Sequence, residues 1–148
     1  MALLRMSDLY AYIHTVLRED RMIKDSLGLT DDLVQASTKI QKKRKPTGLV
    51  KDNLPIISFY ANPGMRGEEN FLEYVVPFDF DIYVLDDDSE IAINIADRIN
   101  ELIDSKFLGI PCGSSFQSEF LTMSEVETDL ADTYKFFTQI LFTIGIEG

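Results

Sequence analysis

The feature that most constrains the fold of this chain is a run of alternating side chains from Leu72 to Val84. Every second residue of the run is apolar, namely Leu72, Tyr74, Val76, Phe78, Phe80, Ile82 and Val84. Because successive side chains of a β-strand point to opposite faces, this period of two predicts one long strand with one buried face. A helix repeats about every 3.6 residues and does not fit the pattern. Pro77, inside the run, lacks an amide hydrogen, which predicts an edge strand or a bulge at that position.

The remaining elements follow from similar patterns of apolar residues. Spacings of three and four predict helices at 7–27 and 89–105. A short helix or ordered arm is predicted within 31–45, ended by Pro46. Alternation predicts further strands at 56–61, near 114–123 and at 134–146. The order α(α)ββαββ predicts an α+β fold, in which helices pack on one face of a four-stranded, mainly antiparallel sheet.

Length and composition exclude several classes of protein. The 148 residues suit a single domain, 1–148. The chain holds 25 acidic and 14 basic residues, a net charge of −11, which disfavours general affinity for nucleic acids because their phosphates are bound by Lys and Arg. It has no apolar run of about 18 residues, so we expect no membrane span and no membrane partner. With no signal peptide expected and a single cysteine, Cys112, the chain is predicted to be soluble and made in the cytoplasm.

Asp79 and Asp81 are the strongest candidates for catalysis. Carboxylates two apart on a strand share one face and are close enough to hold a divalent metal, and Glu73 lies on the same face. This alternative describes a metal-dependent phosphotransfer enzyme. Against it, no Lys, Arg or His lies near the pair in sequence, and a polar strand face in solvent explains the same residues. His14 and Cys112 have no recognisable partners for a metal site or a triad, so no catalytic residue, metal or cofactor is predicted.

Basic residues of this acidic chain gather in one segment, 39–51. They are Lys39, Lys42, Lys43, Arg44, Lys45 and Lys51. Either they form a solvated helix end, or they form a positive surface that meets an acidic surface on a partner or on another copy. Acidic complements occur at Asp86–Asp88 and in the connection 125–132. Opposite patches on one protomer favour a head-to-tail contact, and such contacts close into rings when the rotation allows.

The order of elements and the residue pattern of the strands resemble those of the tail terminator (tail completion) proteins of long-tailed bacteriophages. The resemblance covers residues 7–147. It rests on the N-terminal helix, the basic segment, the LPIISFYANPGMRGEEN hairpin, the FDFDIYVLDDD strand that leads into the helix 89–105, and the terminal YKFFTQILF strand. No short diagnostic motif is involved, and the small neck (head–tail connector) proteins of phages share a similar architecture.

The resemblance implies a non-catalytic assembly protein of the virion, located in its tail or neck. Such proteins form a hexameric ring on the finished tail tube, stop its growth, and offer the surface to which the DNA-filled head attaches. The implied partners are copies of the chain itself, the tail tube protein and a neck or head-completion protein. DNA is expected to pass through the ring without specific binding.

The positions of these contacts are predicted from exposure. An acidic wall does not retain phosphate, so we expect Glu73, Asp79 and Asp81 to face the channel. A sheet edge near Pro77 is expected to be open to a neighbouring subunit. Contacts with other proteins are expected in the basic segment, in the loop 62–70 and at the acidic corner, specifically at Lys42, Lys43, Arg44, Lys45, Met65, Arg66, Asp86, Asp87 and Asp88.

Overall fold

The structure, a computed structural model, describes residues 6–30, 32–66, 73–103, 107–109 and 115–145. The helices within them are α1 (Met6–Glu19), α2 (Arg21–Leu27), α3 (Leu33–Lys39) and α4 (Ser89–Ile103). The strands are β1 (Ile40–Gln41), β2 (Ile56–Ala61), β3 (Met65–Arg66), β4 (Glu73–Leu85), β5 (Phe107–Gly109), β6 (Ser115–Val126) and β7 (Thr133–Gly145). The predicted α+β fold is confirmed.

The strands form one sheet in the order β1-β2-β4-β7-β6-β5, with β3 paired to β4 beyond the end of β2. Neighbouring strands are antiparallel except β1 and β2, which are parallel. The four long strands are those that the sequence predicts. The predicted strand count omitted β1, β3 and β5, which are two or three residues long. Segments that short show no period in the sequence, and their pairing with long strands defines them.

The helix predicted at 7–27 is two helices separated at Asp20. The backbone of Asp20 is extended, with ψ 127°, and its carboxylate accepts a hydrogen bond from Ile23 N at 3.2 Å, so that it caps α2. The guanidinium of Arg98 on α4 also donates to this carboxylate, with a shortest N–O distance of 2.7 Å. Gly28 ends α2 in the left-handed conformation, with φ 67°.

The helix predicted within 31–45 is shorter than expected. Asp32 caps α3 by accepting a hydrogen bond from Val34 N at 2.9 Å, and the helix ends at Lys39. The chain then enters β1, because Ile40 is buried in the core and pairs with Ile57 of β2. Lys39 lies in the last turn of α3, whereas the lysines that follow lie in a turn after a strand. The helix-end placement is therefore wrong for them, although they are exposed to solvent as that alternative expects.

Pro77 lies in an interior strand, because β4 is hydrogen-bonded between β2 and β7. The register with β7 is continuous through this residue, so the predicted edge strand is wrong, as is the open edge expected beside it, and the irregularity lies on the other side of β4. On the other side of β4, pairing is interrupted between Ala61 of β2 and Met65 of β3. Three residues of this connection, 62–64, lie opposite two residues of β4, 76 and 77, so the connection has one residue more than β4. The carbonyl of Pro77 accepts a hydrogen bond there from Asn62 N at 2.8 Å. The nitrogen of Pro77, which has no hydrogen to donate, faces the same interruption as its carbonyl. No ladder hydrogen bond is lost there, which explains why proline is tolerated in a central strand.

Helices α1, α2 and α4 pack on one face of the sheet. Of the β4 side chains predicted to be buried, Tyr74 is half-buried, and the others in the described strand have no exposed surface, namely Val76, Phe78, Phe80, Ile82 and Val84. Leu72, the first residue of that run, lies outside the described residues. Leu9 and Leu17 of α1 join the same cluster with Ile95 and Ile99 of α4. Ile91 is one of the apolar residues whose spacing predicts the helix 89–105, yet it is exposed, whereas Ala92 is buried.

Candidate functional site

The face of the sheet opposite this core carries a polar cluster at its centre. Its members, called the carboxylate cluster below, are Tyr60 of β2, Asp79 and Asp81 of β4, and Lys135 and Gln139 of β7. Strand register brings them together, because Asp79 pairs with Tyr60 on one side and with Gln139 on the other. Their side chains share a face because they alternate with buried residues.

Hydrogen bonds join the members of the carboxylate cluster. The Tyr60 hydroxyl lies 2.9 Å from Asp81 Oδ2 and 3.3 Å from Asp79 Oδ2. Gln139 Nε2 donates to Asp79 Oδ1 at 2.9 Å. Lys135 Nζ lies 3.5 Å from Asp81 Oδ2 and 5.2 Å from the centre of the Tyr83 ring. Every donor of the cluster is therefore directed at a carboxylate.

Burial sets the charge state of this cluster. Asp81 is only 3% exposed, and burial raises the pKa of its carboxyl, although Lys135 and Tyr60 act in the opposite sense. Burial lowers the pKa of Lys135, but its interactions with Asp81 and Tyr83 together outweigh burial, so that the pKa of Lys135 is raised. Burial and then the charge of Asp81 raise the pKa of Tyr60, so its hydroxyl stays protonated and donates. The cluster is a partly neutralised polar network within the sheet.

The acidic residues that the sequence predicts to face the channel differ in how exposed they are. Asp79 is half-buried, and Asp81 is buried, so the prediction that Asp81 is an outward-facing acid is wrong. The reason is that Tyr60 and Lys135 from the flanking strands cover its carboxylate. The side chain of Glu73 lies outside the described part of the structure.

The cluster fits a divalent metal poorly. Asp79 Oδ1 accepts a hydrogen bond from Gln139, Asp79 Oδ2 lies 3.3 Å from the Tyr60 hydroxyl, and the ammonium of Lys135 stands beside Asp81, so protein groups already surround both carboxylates that would bind a metal. Among the described residues, no group of three or more His, Cys, Asp or Glu could hold a metal ion. The sequence argument missed Lys135 and Gln139, although both occupy polar positions of the alternating β7 segment. The alternation of β7 is visible in the sequence, but only the strand register shows that these two side chains lie beside Asp79 and Asp81.

The basic turn, residues 42–45, leaves the sheet after β1. Buried Gln41 holds it in place: its Nε2 donates to the carbonyls of Thr38 and Thr47 at 2.9 and 2.8 Å, and its Oε1 accepts from Thr47 N at 2.9 Å. The Ser58 hydroxyl donates to the carbonyl of Lys43. The turn is therefore a fixed feature of the β1 side of the sheet.

The four basic side chains of this turn are not equivalent. Arg44 lies over the ring of Tyr60, with its Cζ 4.6 Å from the ring centre, and donates to Asn62 Oδ1 at 3.0 Å. Lys42, Lys43 and Lys45 are exposed, and no ion pair with them occurs in the part of the chain that the structure describes. Arg44 therefore supports the fold, whereas Lys42, Lys43 and Lys45, called the three available lysines below, can contact another protein.

A groove of roughly 690 Å³ lies between α3 and the basic turn. Its rim includes Lys42 and Lys43, and its apolar side includes Leu33 and Val34, which are 63% and 76% exposed. His14 forms part of the floor. Its Nε2–H donates to the carbonyl of Ile40 at 3.1 Å, and its Nδ1 accepts from Arg18 at 3.0 Å. Burial, and then the charge of Lys42, lower the pKa of His14, which is therefore a neutral structural residue.

The acidic corner, Asp86–Asp88, is one turn of 3₁₀ helix between β4 and α4. Asp86 N donates to the carbonyl of Asp132 at 2.9 Å, so the corner adjoins the acidic connection before β7. Lys51 and the acidic corner line one surface pocket of about 320 Å³. The basic segment predicted at 39–51 is therefore divided, since Lys51 lies at the acidic corner and residues 42–45 lie in the basic turn. Elsewhere, Met65 on β3 is 67% exposed, and the side chain of Arg66 lies outside the described residues, as does Cys112.

No described helix is long and apolar enough to cross a membrane. No family model matches the chain, and no curated protein matches it. Among solved structures, the chain is similar to a chain of the structure entitled "Virion of native gene transfer agent (GTA) particle". The TM-score is 0.69 at 14% sequence identity, and the alignment covers 95% of this chain and 96% of that chain. At this identity the likeness shows that the two chains share a fold over nearly their whole lengths.

Proposed function

We propose that this chain is a non-catalytic assembly protein of a phage-like virion, and more specifically a tail terminator. In this role, copies of it cap the tail tube as a hexameric ring, and the ring offers the surface that joins the DNA-filled head. Its partners are other copies of the chain, the tail tube protein and a neck or head-completion protein.

The observation that carries the proposal is the shared fold with a chain of a gene transfer agent virion. The likeness extends over 95% of one chain and 96% of the other, so it is not confined to a common sheet motif. The sequence resemblance to tail terminators, stated above from the order of elements, points to the same class of protein.

The distribution of charge is consistent with a ring around DNA. Most exposed charge in this chain of net charge −11 is acidic, so a ring of copies would not retain a passing genome by binding its phosphates. Asp79, half-buried at the centre of its sheet face, remains a candidate for the channel wall, as does Glu73. The three available lysines and exposed Met65 are candidates for contacts between proteins.

The proposal is tested by assembling tails from the tube protein of the same phage, with and without this chain. Electron microscopy should show tubes of uniform length, each with one ring at one end, when the chain is present. Without it, the tubes should be longer and variable. Rings on filled heads but not on tubes would instead identify a neck connector, and absence from both would refute a virion role.

The contribution of the basic turn is tested in the same assay. The variant Lys42→Glu/Lys43→Glu/Lys45→Glu should fold normally but enter particles less efficiently, because it reverses only side chains that lack a described ion-pair partner. Arg44 is kept, since its contacts with Tyr60 and Asn62 support the fold. The control is Arg21→Glu, which reverses an exposed basic residue on α2. Equal incorporation of the triple variant and the control would exclude the turn from assembly.

A further inference from the structure

The two outer sides of the sheet carry opposite charge. On the β1 side, Lys42 and Lys43 are exposed on the basic turn. On the β6 side, Glu119 and Glu125 are exposed. In the strand order, β1 and β6 are separated by β2, β4 and β7, and strand spacing puts them roughly 19 Å apart. The two charged surfaces therefore lie on opposite flanks of one protomer.

Along the second half of β6, the flank offers a strand edge that no other described strand pairs with. Strand β5 pairs with residues 115–117 of β6, and from Leu121 to Val126 no described strand lies on the outer side. A register shift between Phe120 and Thr122 leaves Leu121 44% exposed in the middle of this edge. The acidic edge, defined as residues 119–126, thus combines the carboxylates of Glu119 and Glu125, the apolar side chain of Leu121, and, from Leu121 to Val126, backbone groups that can pair with another chain.

The β1 flank has the complementary features. The groove beside α3 is lined by the exposed apolar side chains of Leu33 and Val34 and by Lys42 and Lys43. Its volume of roughly 690 Å³ is ample for an apolar side chain and the strand that carries it. The basic turn is held by Gln41, so the lysines project from a fixed backbone.

We propose that the acidic edge of one copy docks against the basic turn and the adjoining groove of the next copy. This inference rests on the proposed function, whose ring requires a contact between two different surfaces of the same protomer. The occupant is a second copy because the charges of the two flanks are complementary and both flanks carry exposed apolar side chains. Their positions on opposite sides of the sheet produce the head-to-tail arrangement that a ring needs.

The test is a charge swap between two variants. In Lys42→Glu/Lys43→Glu both flanks are acidic, and in Glu119→Lys/Glu125→Lys both are basic, so each variant should repel itself. Mixed in equal amounts, the two should alternate with every contact complementary, which an even-numbered ring permits. By sedimentation velocity at low salt, we expect the mixture to associate at least about tenfold more tightly than either variant alone.

The controls separate charge from damage to the fold. Each variant should unfold at nearly the temperature of the unmodified protein, because the four side chains are exposed. The control Glu90→Lys/Asp97→Lys reverses two exposed acids on α4 but keeps both flanks, so it should associate as the unmodified protein does. A charge-swap mixture no heavier than its components would overturn the docking, whatever the unmodified protein does.

The charge-swap experiment and the particle assay distinguish a failure of the docking from a failure of the proposed function. If the unmodified chain enters particles while the mixture fails to associate, the virion role stands and this interface is wrong. If the mixture associates while the unmodified chain enters no particle, the self-contact stands and the virion role is wrong.

Discussion

Replacing Lys135 by methionine removes the cation that stands 3.5 Å from buried Asp81. The side chains of Lys135 and Asp81 are 20% and 4% exposed, so water compensates the remaining carboxylate only in part. Methionine keeps most of the length and apolar contact of the lysine stem. The substitution therefore tests the charge of Lys135 rather than its volume.

The magnitude follows from the geometry of the pair. Breaking a buried ion pair by removing one partner costs about 3–5 kcal/mol. The N–O distance here is long, and Asp81 retains the hydrogen bond from Tyr60, so we expect a loss of about 2 kcal/mol at pH 7.5. For a domain of this size, that loss lowers the melting temperature by about 4–8 °C.

The pH dependence gives the sharper test. Burial raises the pKa of Asp81 above its value in the unfolded chain, and loss of Lys135 should raise it further. The folded variant then binds a proton more readily than the unfolded chain, so its stability should recover as the pH falls through the folded pKa. Urea unfolding at pH 7.5 and pH 5 should show a smaller difference from the unmodified protein at pH 5. The double variant Asp81→Asn/Lys135→Met should regain most of the loss. Equal losses at both pH values, with no rescue by the double variant, would refute this account.

Three other predictions concern the core and its supports. Phe80→Ala should reduce the free energy of unfolding by about 3–5 kcal/mol in urea titrations, because the Phe80 ring is fully buried against Phe59. Gly64→Ala should lower the melting temperature, because a Cβ there would lie 2.5 Å from the carbonyl oxygen of Val75; an unchanged melting temperature would contradict that close approach. The lowered pKa of His14 means that the unfolded chain binds its proton first, so stability should fall as the pH drops below about 6.5. Urea unfolding of His14→Gln should show a smaller decline between pH 7.5 and pH 5, and an equal decline would exclude His14 as the cause.

Much of the fold could be predicted from periodicity. The alternation in β4 and β7 and the stripe of α4 are long enough to identify each element and its buried side. The break at Asp20 was missed, because an aspartate within a helical pattern does not reveal whether it caps a new helix. Strand β1 was missed because the burial of Ile40 depends on pairing with β2, which lies beyond a long connection. Pro77 was misplaced because the interruption that accommodates it belongs to a neighbouring segment.

The candidate surfaces were predictable in composition but not in arrangement. Asp79 and Asp81 were recognised as a pair on one face, yet the burial of Asp81 depends on Tyr60 and Lys135 from other strands. Local sequence also could not distinguish Arg44 from the neighbouring lysines, since its contacts with Tyr60 and Asn62 arise only in the folded chain. Charge and periodicity are local properties, whereas register is a property of the whole sheet.

The hydrogen bonds of Gln41 have a consequence for the thermodynamics of association. A loop that becomes ordered on binding loses backbone entropy worth about 1–2 kcal/mol per residue. Because Gln41 already tethers the turn from Thr38 to Thr47, that loss has been incurred during folding. A protein that meets the lysines needs to immobilise only their side chains, so even a modest contact area can support a lasting complex.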